Sequence, residues 1–194
     1  MTEHNPLVSI IVITFNSAKY VLETLESARS QTYQNLELIV SDDCSTDNTV
    51  EICRKWIDEN KARFVRTELV TVKKNTGIPA NFNRGLRLAN GYWLKPIAGD
   101  DVLIDDAVNN IITYSKTKVI KDILLTLIDV YNENFQISNF ITTRPNEWKN
   151  IAAYYPDPNS NNQIEHILKG GYHNSPGIFY KKKLIEEIGY YDER

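Results

Sequence analysis

Apolar and polar positions along the chain fall into two alternating textures. Short β-branched runs are separated by longer stretches in which apolar residues return every third or fourth position. The first run, Val8-Ser9-Ile10-Ile11-Val12-Ile13, is nearly continuous, as expected of a strand buried on both faces of a parallel sheet. Thr14-Phe15-Asn16-Ser17 then reads as a loop with Ser17 as a cap, and Val21, Leu25 and Ala28 share one face of a helix. Leu36 to Val40 forms a second strand ending at Ser41-Asp42-Asp43. Ser45-Thr46-Asp47 supply capping oxygens for a helix that turns Val50, Cys53 and Ile57 inward.

The pattern repeats with a weaker third strand around Leu69 to Val72, a turn at Asn75-Thr76-Gly77, and Pro79 where a first helical residue would sit. That helix carries Phe82, Leu86 and Ala89 at core spacing and stops at Asn90-Gly91. Tyr92 to Ile97 is the next strand, closed by Gly99-Asp100-Asp101, and Asp105 can cap a helix showing Ala107, Ile111 and Tyr114. Beyond the apolar run Ile123 to Ile128 the regularity fades. Asn146 to Gln163 reads as a long loop, Ile164 to Leu168 as a short helix, Pro176 to Tyr180 as a strand, and Leu184 to Ile188 as a helix stopped by Gly189. Strands alternating with helices of this length predict an α/β fold, a mostly parallel sheet flanked by helices.

A length of 194 residues suggests one domain, or one and a fraction, and 42% hydrophobic with 24% charged residues is ordinary for a soluble globular protein. The net charge of -3 argues against nucleic acid as a partner, because phosphate binding needs a basic face; Lys181-Lys182-Lys183 reads as the solvated start of a helix. Cys44 and Cys53 are too few for a disulfide framework, which points to a reduced cytoplasmic protein. Met1 to Pro6 lacks the basic start of a signal peptide, and no apolar run approaches a membrane span. Peripheral attachment at the inner face of a membrane stays open.

In an open α/β sheet, ligands bind beyond the carboxyl ends of the strands. Thr14-Phe15-Asn16, Asp42-Asp43 and Asp100-Asp101 all fall there. A lone Asp pair is more often a turn or a cap, but two pairs on one rim point to chemistry. No G-x-G-x-x-G follows the first strand and no G-x-x-x-x-G-K-[ST] occurs, so backbone amides are not arranged to crowd phosphates. An acidic rim handles a diphosphate through Mg2+ or Mn2+ held by carboxylate oxygens.

The segment from Pro6 to about Ile112 resembles the inverting, GT-A-type glycosyltransferases of family 2. The matching stretches are Val8 to Asn16, Ser30-Gln31-Thr32-Tyr33, Glu37 to Asp47, Asn75-Thr76-Gly77 and Ala98-Gly99-Asp100-Asp101. Ser175 to Tyr180 and Ile188 to Glu193 resemble that family's acceptor-side strand and its G-G-F-D-E-like turn. The resemblance implies a GT-A-type, Rossmann-like sheet, with a donor-binding half over residues 1–112 and an incomplete acceptor-side half over 113–194. Thr14 and Phe15 would line the nucleobase pocket, with Phe15 stacking where the family usually has Tyr. Asp43 would bond the imide of uracil or thymine, Asp100 would contact the ribose or the metal, and Asp101 would bind Mn2+ or Mg2+ directly. Asn16, Asn75 and Asn81 would be further donor-side contacts. The implied reaction moves a sugar from a UDP- or dTDP-sugar to a saccharide or lipid-linked acceptor with inversion, in the assembly of surface polysaccharide.

The sequence departs from the family pattern in three places. Cys44 stands where Gly is common, so a shift in that turn is expected. Ala98 stands where many members carry the first Asp of D-x-D. The general base, usually in an acidic pair after the G-G-F-D-E-like turn, is expected beyond Arg194, so the chain should be truncated, able to bind donor but poor at transfer. Among the remaining residues, Trp56 and Trp93 read as core and Cys53 as a small buried hydrophobe. Trp148 could stack on a sugar or anchor a loop. His173, beside Gly170-Gly171, reads as a surface or capping residue near the acceptor mouth, and Lys73-Lys74 as a solvated pair within reach of a phosphate. Two other functions compete. One is a nucleotide-sugar-binding module without transfer. The other is a nucleotidyltransferase, which needs an early glycine-rich basic loop that Thr14 to Ser17 does not provide.

Overall fold

The computed structural model describes residues 5–117, 122–144 and 175–194. Two compact units emerge: Met1–Leu124 together with Phe179–Arg194, and Leu125–Ile178. The first is built on a sheet of six strands in the order β3-β2-β1-β4-β8-β5, namely Arg66–Thr71, Leu36–Asp42, Val8–Thr14, Trp93–Ala98, Ile178–Lys181 and Ile123–Leu125. The pairings β1/β2, β1/β4 and β2/β3 are parallel, and β8 runs antiparallel to β4. The expected α/β, mostly parallel architecture is therefore present.

Both central strands, β1 and β2, are buried along their whole length, which is why their sequences are apolar without a clean period of two. Val8, Ile10 and Val12 of β1 join Leu36, Leu38 and Val40 of β2 on one face. They pack there with Val21, Leu25 and Ala28 of α1 (Val21–Arg29), Cys53, Trp56 and Ile57 of α2 (Thr49–Asn60), and Val108, Ile111 and Ile112 of α4 (Ala107–Thr117). Burying each such aliphatic side chain contributes about 1.5–3 kcal/mol. The other face carries α3 (Ile78–Leu88), seated so closely that a Cβ on Gly85 would lie 2.4 Å from Ile11 Cγ2. Trp56, Trp93 and Cys53 are buried, as the apolar pattern implied.

A polar staple closes the amino ends of the strands. Glu37 is 1% exposed, and its carboxylate accepts from Ser9 Oγ at 2.5 Å, from the Asn90 and Gly91 amides, and from Arg66 Nη1 at 3.2 Å.

Several local expectations shift. β3 begins three residues before the expected strand because Arg66 and Glu68 are polar edge residues that pair with each other, at 2.9 Å. Ser17 does not cap α1 through its hydroxyl; its carbonyl oxygen takes the Val21 amide at 2.9 Å. Asp105 does not cap α4 either. Gln31 does so from another segment, its Oε1 accepting from Val108 N at 3.1 Å. Tyr114, expected on the inner face of α4, is 43% exposed. Ser175–Gly177 forms a 3-10 turn, so β8 starts at Ile178 rather than Pro176, and α5 follows at Lys182–Ile188.

In the second unit, β6 (Ile128–Tyr131) and β7 (Phe140–Arg144) form an antiparallel hairpin that the fading periodicity did not announce. Its aromatic side chains cluster around Tyr131, with Phe135 and Phe140 rings each 5.7 Å away, centroid to centroid. The loop expected over 146–163, the helix over 164–168, Trp148, Gly170-Gly171 and His173 lie outside the described residues. Among the described residues, no helix is long and apolar enough to cross a membrane.

Candidate functional site

The strand order reverses direction between β1 and β4, and the carboxyl ends of β1, β2 and β4 meet on one rim. Such a switch point is where an open α/β sheet leaves a crevice. The close approach depends on Gly99, since a Cβ there would lie 2.8 Å from Thr14 Cγ2 and 3.1 Å from Ser17 Oγ.

The first Asp pair is consumed by the fold. Asp42 accepts from Thr14 Oγ1 at 2.8 Å, Ser45 N at 2.9 Å and Ser45 Oγ at 2.5 Å, which shapes the turn after β2. Cys44 within that turn has φ 69°, so the left-handed backbone that suits glycine is kept with a side chain in place. Asp43, 2% exposed, accepts from Thr76 Oγ1 at 2.6 Å, Thr76 N at 2.8 Å, Gly77 N at 2.7 Å and Arg84 Nη2 at 3.1 Å. Burial alone would raise its pKa, but the bonds from Thr76, Arg84 and Gly77 outweigh that and hold the carboxyl below its ordinary value. Gly77 is needed as much for its conformation as for its amide, with φ 88° at the N-cap of α3.

The loop after β1 is zipped onto the loop after β2. Asn16 N donates to Ser45 Oγ at 2.8 Å, and Asn16 Oδ1 accepts from Thr46 N at 2.8 Å. Ser17 N and Ala18 N donate to Thr49 Oγ1 and Asp47 Oδ2. Thr14 is buried, with its hydroxyl spent on Asp42. Asn81 is also buried, donating to Thr14 O at 3.1 Å and accepting from Arg84 Nη1 at 2.9 Å. Asn75 is exposed and accepts from Gly77 N at 3.1 Å. Phe15, by contrast, stands 49% exposed at the rim.

The second Asp pair is left largely unsupplied. Asp100 is exposed, and Asp101 is half-buried with one hydrogen bond among the described residues, from Ala98 N at 3.3 Å. Burial and the neighbouring Asp100 charge raise the Asp101 pKa, with the Ala98 amide and the Lys95 charge opposing. Lys95 lies on β4, fully buried, with its ammonium 4.9 Å from the centroid of the Phe179 ring. Burial pushes its pKa down to about 7 against the pull of Asp101. The segment that follows is anchored from the end of α1. Ser30 Oγ and Thr32 Oγ1 donate to Asp105 and Asp106 at 2.7 Å each, Gln31 Nε2 donates to Ile104 O at 2.8 Å, and Leu103 N donates to Ser27 Oγ at 3.1 Å.

The rim thus gathers Thr14, Phe15, Asn16, Asp43, Asn75, Asn81, Asp100 and Asp101, but only Phe15, Asn16, Asn75 and Asp100 stand exposed there. Sequence reasoning gave no role to Arg84, Thr76 or Gln31. Arg84 was legible in principle: it falls three residues after Asn81, on the same helix face. Among the described residues, no group of three or more His, Cys, Asp or Glu side chains is placed to hold a metal ion. Two adjacent carboxylates with spare oxygens do suit a divalent cation whose remaining ligands are phosphate oxygens and water.

The chain is 32% identical over 143 residues to the chondroitin synthase of Escherichia coli, covering 74% of this chain and 20% of that protein. It is similar in fold to S. aureus TarS 1-349 in complex with UDP-GlcNAc, with TM-score 0.66 and 22% identity over 95% of this chain and 48% of that one. It is similar in fold, too, to the mannosyltransferase PcManGT from Pyrobaculum calidifontis in complex with GDP-Man and Mn2+, with TM-score 0.66 and 19% identity over 97% and 48% of the two chains. The chain therefore spans about a fifth to a half of the length of these relatives. Residues 9–189 match the family described as Glycosyl transferase family 2, and the chain belongs to that family.

Proposed function

We propose that this chain carries the donor site of an inverting, metal-dependent glycosyltransferase. It transfers a sugar from a UDP- or dTDP-sugar to a saccharide or lipid-linked acceptor, in polysaccharide biosynthesis. The observation that carries the reading is the pairing, on one rim, of an exposed aromatic ring with an undersupplied carboxylate pair. The chondroitin synthase relative supports the polysaccharide setting, and the TarS and PcManGT complexes support a nucleotide-sugar donor and a divalent ion. Residues 1–112 form the donor half and 113–194 the acceptor side.

Phe15 offers its face to the nucleobase. Asp43 accepts the base imide N–H by exchange: its four present donors already occupy the directions a carboxylate can serve, and the Thr76 hydroxyl is the one that can rotate away. Asn16 and Asn75 present amides at the mouth, whereas Thr14 and Asn81 hold the backbone beneath it. Asp101, with Asp100 beside it, would hold Mn2+ or Mg2+, which when bound supplies positive charge against the departing diphosphate. The acceptor hydroxyl needs a general base to take its proton, and none of the rim carboxylates is assigned that role.

The test is calorimetric titration with UDP, dTDP, GDP and ADP, each with and without Mn2+. Binding of UDP or dTDP that requires the metal and disappears in Asp101→Ala is the expected result. Folded protein that binds none of the four nucleotides would sink the reading.

A further inference from the structure

The last described residues return to α3. Asn83, fully buried, closes two hydrogen bonds with the backbone of one residue: Tyr191 N donates to Asn83 Oδ1 at 2.9 Å, and Asn83 Nδ2 donates to Tyr191 O at 2.8 Å. The same Nδ2 donates to Glu193 Oε1 at 2.7 Å. Neighbouring α3 side chains extend the grip. The Phe82 ring packs on Tyr191 with centroids 5.7 Å apart, and the Arg87 guanidinium lies 4.7 Å from the Tyr190 ring centroid and 3.4 Å from Glu193 Oε1.

The next residue along α3, Arg84, serves the other end of the site by bonding Asp43 and Thr76. Adjacent positions on one helix thus hold the nucleotide-end carboxylate and the Tyr190–Glu193 turn. Along the axis Asn83 lies about 8 Å from the first residue of α3, at 1.5 Å per residue, so the turn is held beside the rim. A helix is stiff over that length, and side-chain contacts from Phe82, Asn83 and Arg87 tie the turn to it.

We infer that Asn83 is a positioning residue, which holds the Tyr190–Glu193 turn at a fixed place relative to the donor site without contributing to donor affinity. The part of this that concerns turnover rests on the glycosyltransferase reading above. Asn83→Ala removes its own three bonds to the turn and leaves those of Arg84 and Arg87 in place. Asn83→Asp keeps an acceptor for the Tyr191 amide but sets a carboxylate oxygen against both the Tyr191 carbonyl and Glu193. Adding Glu193→Gln to it restores the contact at position 193 with the direction of the hydrogen bond reversed, while the Tyr191 carbonyl still faces an acceptor.

The experiment combines residue-resolved amide exchange and UDP titration in Mn2+ on this chain with sugar transfer to a saccharide acceptor by the full-length protein. In Asn83→Ala, exchange of the Tyr191 amide is expected to rise at least about tenfold, with Thr76 and Gly77 unchanged. UDP affinity should stay within about twofold, and transfer kcat should fall about tenfold at constant donor KM. Asn83→Asp should free the turn, and the double variant should recover part of both the protection and the kcat that Asn83→Asp loses. Unchanged Tyr191 exchange, loss of protection at Thr76 and Gly77, or no recovery in the double variant would each overturn the inference. A wild-type chain that binds no nucleotide would instead overturn the functional reading, and the exchange data would still decide whether Asn83 holds the turn.

Discussion

Asp42-Asp43 and Asp100-Asp101 are the same dipeptide at the ends of two strands of one sheet, yet they live in opposite circumstances. Among the described residues, Asp43 takes four hydrogen bonds and is held below its ordinary pKa, whereas Asp101 takes one and is pushed above it. A carboxylate saturated by protein donors fixes the loops around it and meets a ligand only by giving up one of those donors. Undersupplied ones keep oxygens for something from solution. The side-chain type is shared; the number of donors aimed at it decides whether a ligand must displace a bond or finds oxygens to spare.

The largest effect is expected where the saturated pair is broken. Asp43→Asn leaves Arg84 without its carboxylate and turns an amide toward the Thr76 and Gly77 donors. A loss of about 3 kcal/mol in unfolding free energy is expected, read by chemical denaturation. Wild-type stability here would show that the loop does not depend on this carboxylate.

The second pair should respond with the opposite sign. Asp101→Asn removes a charge that burial and Asp100 disfavour, so stability should stay level or rise while Mn2+-dependent nucleotide binding weakens by at least about tenfold. The acid limb sharpens the contrast. The lowered pKa of Asp43 means that its stabilisation is complete above the ordinary carboxylate range and is lost as pH falls through the folded value. The raised pKa of Asp101 means that its penalty is absent below that range and complete once pH has risen through the folded value. Stability measured from pH 7 down to pH 3 (roughly the carboxylate range) should therefore fall less steeply in Asp43→Asn and more steeply in Asp101→Asn than in wild type. Parallel slopes in all three proteins would remove the comparison.

The smallest effect concerns the turn inside the first pair. Cys44→Gly keeps the φ of 69° and removes the Cβ clash, so about 1 kcal/mol of stabilisation is expected as a raised Tm. A lowered Tm would mean that the thiol packs usefully enough to offset the strain.

Much of this is legible in the sequence alone. β1 and β2 declared themselves because burial on both faces demands continuous β-branched residues, and the turn residues after each strand marked the rim. The unlike fates of the two Asp pairs were not legible, since the donors to Asp43 come from 33 to 41 positions away, at Thr76, Gly77 and Arg84. Gln31 stayed silent for the same reason, lying 77 positions from the helix it caps. β3 was blurred because an edge strand tolerates Arg66 and Glu68, and the β6–β7 hairpin because its apolar residues are mostly half-buried or exposed and follow no face.

The strand order has a consequence for the chain as it is made. β1 gains β2 as a neighbour within the first 42 residues, but its other edge is covered only by Trp93–Ala98. At roughly 5–20 residues per second, on the order of several seconds of synthesis separate the two events. For that interval the most β-prone segment of the protein, Val8 to Thr14, offers an unpaired edge to any extended chain nearby. Polar Ser9, bonded to Glu37 of β2, interrupts that run and Thr14 ends it, which makes it a poorer template for a stranger than its aliphatic core alone would be.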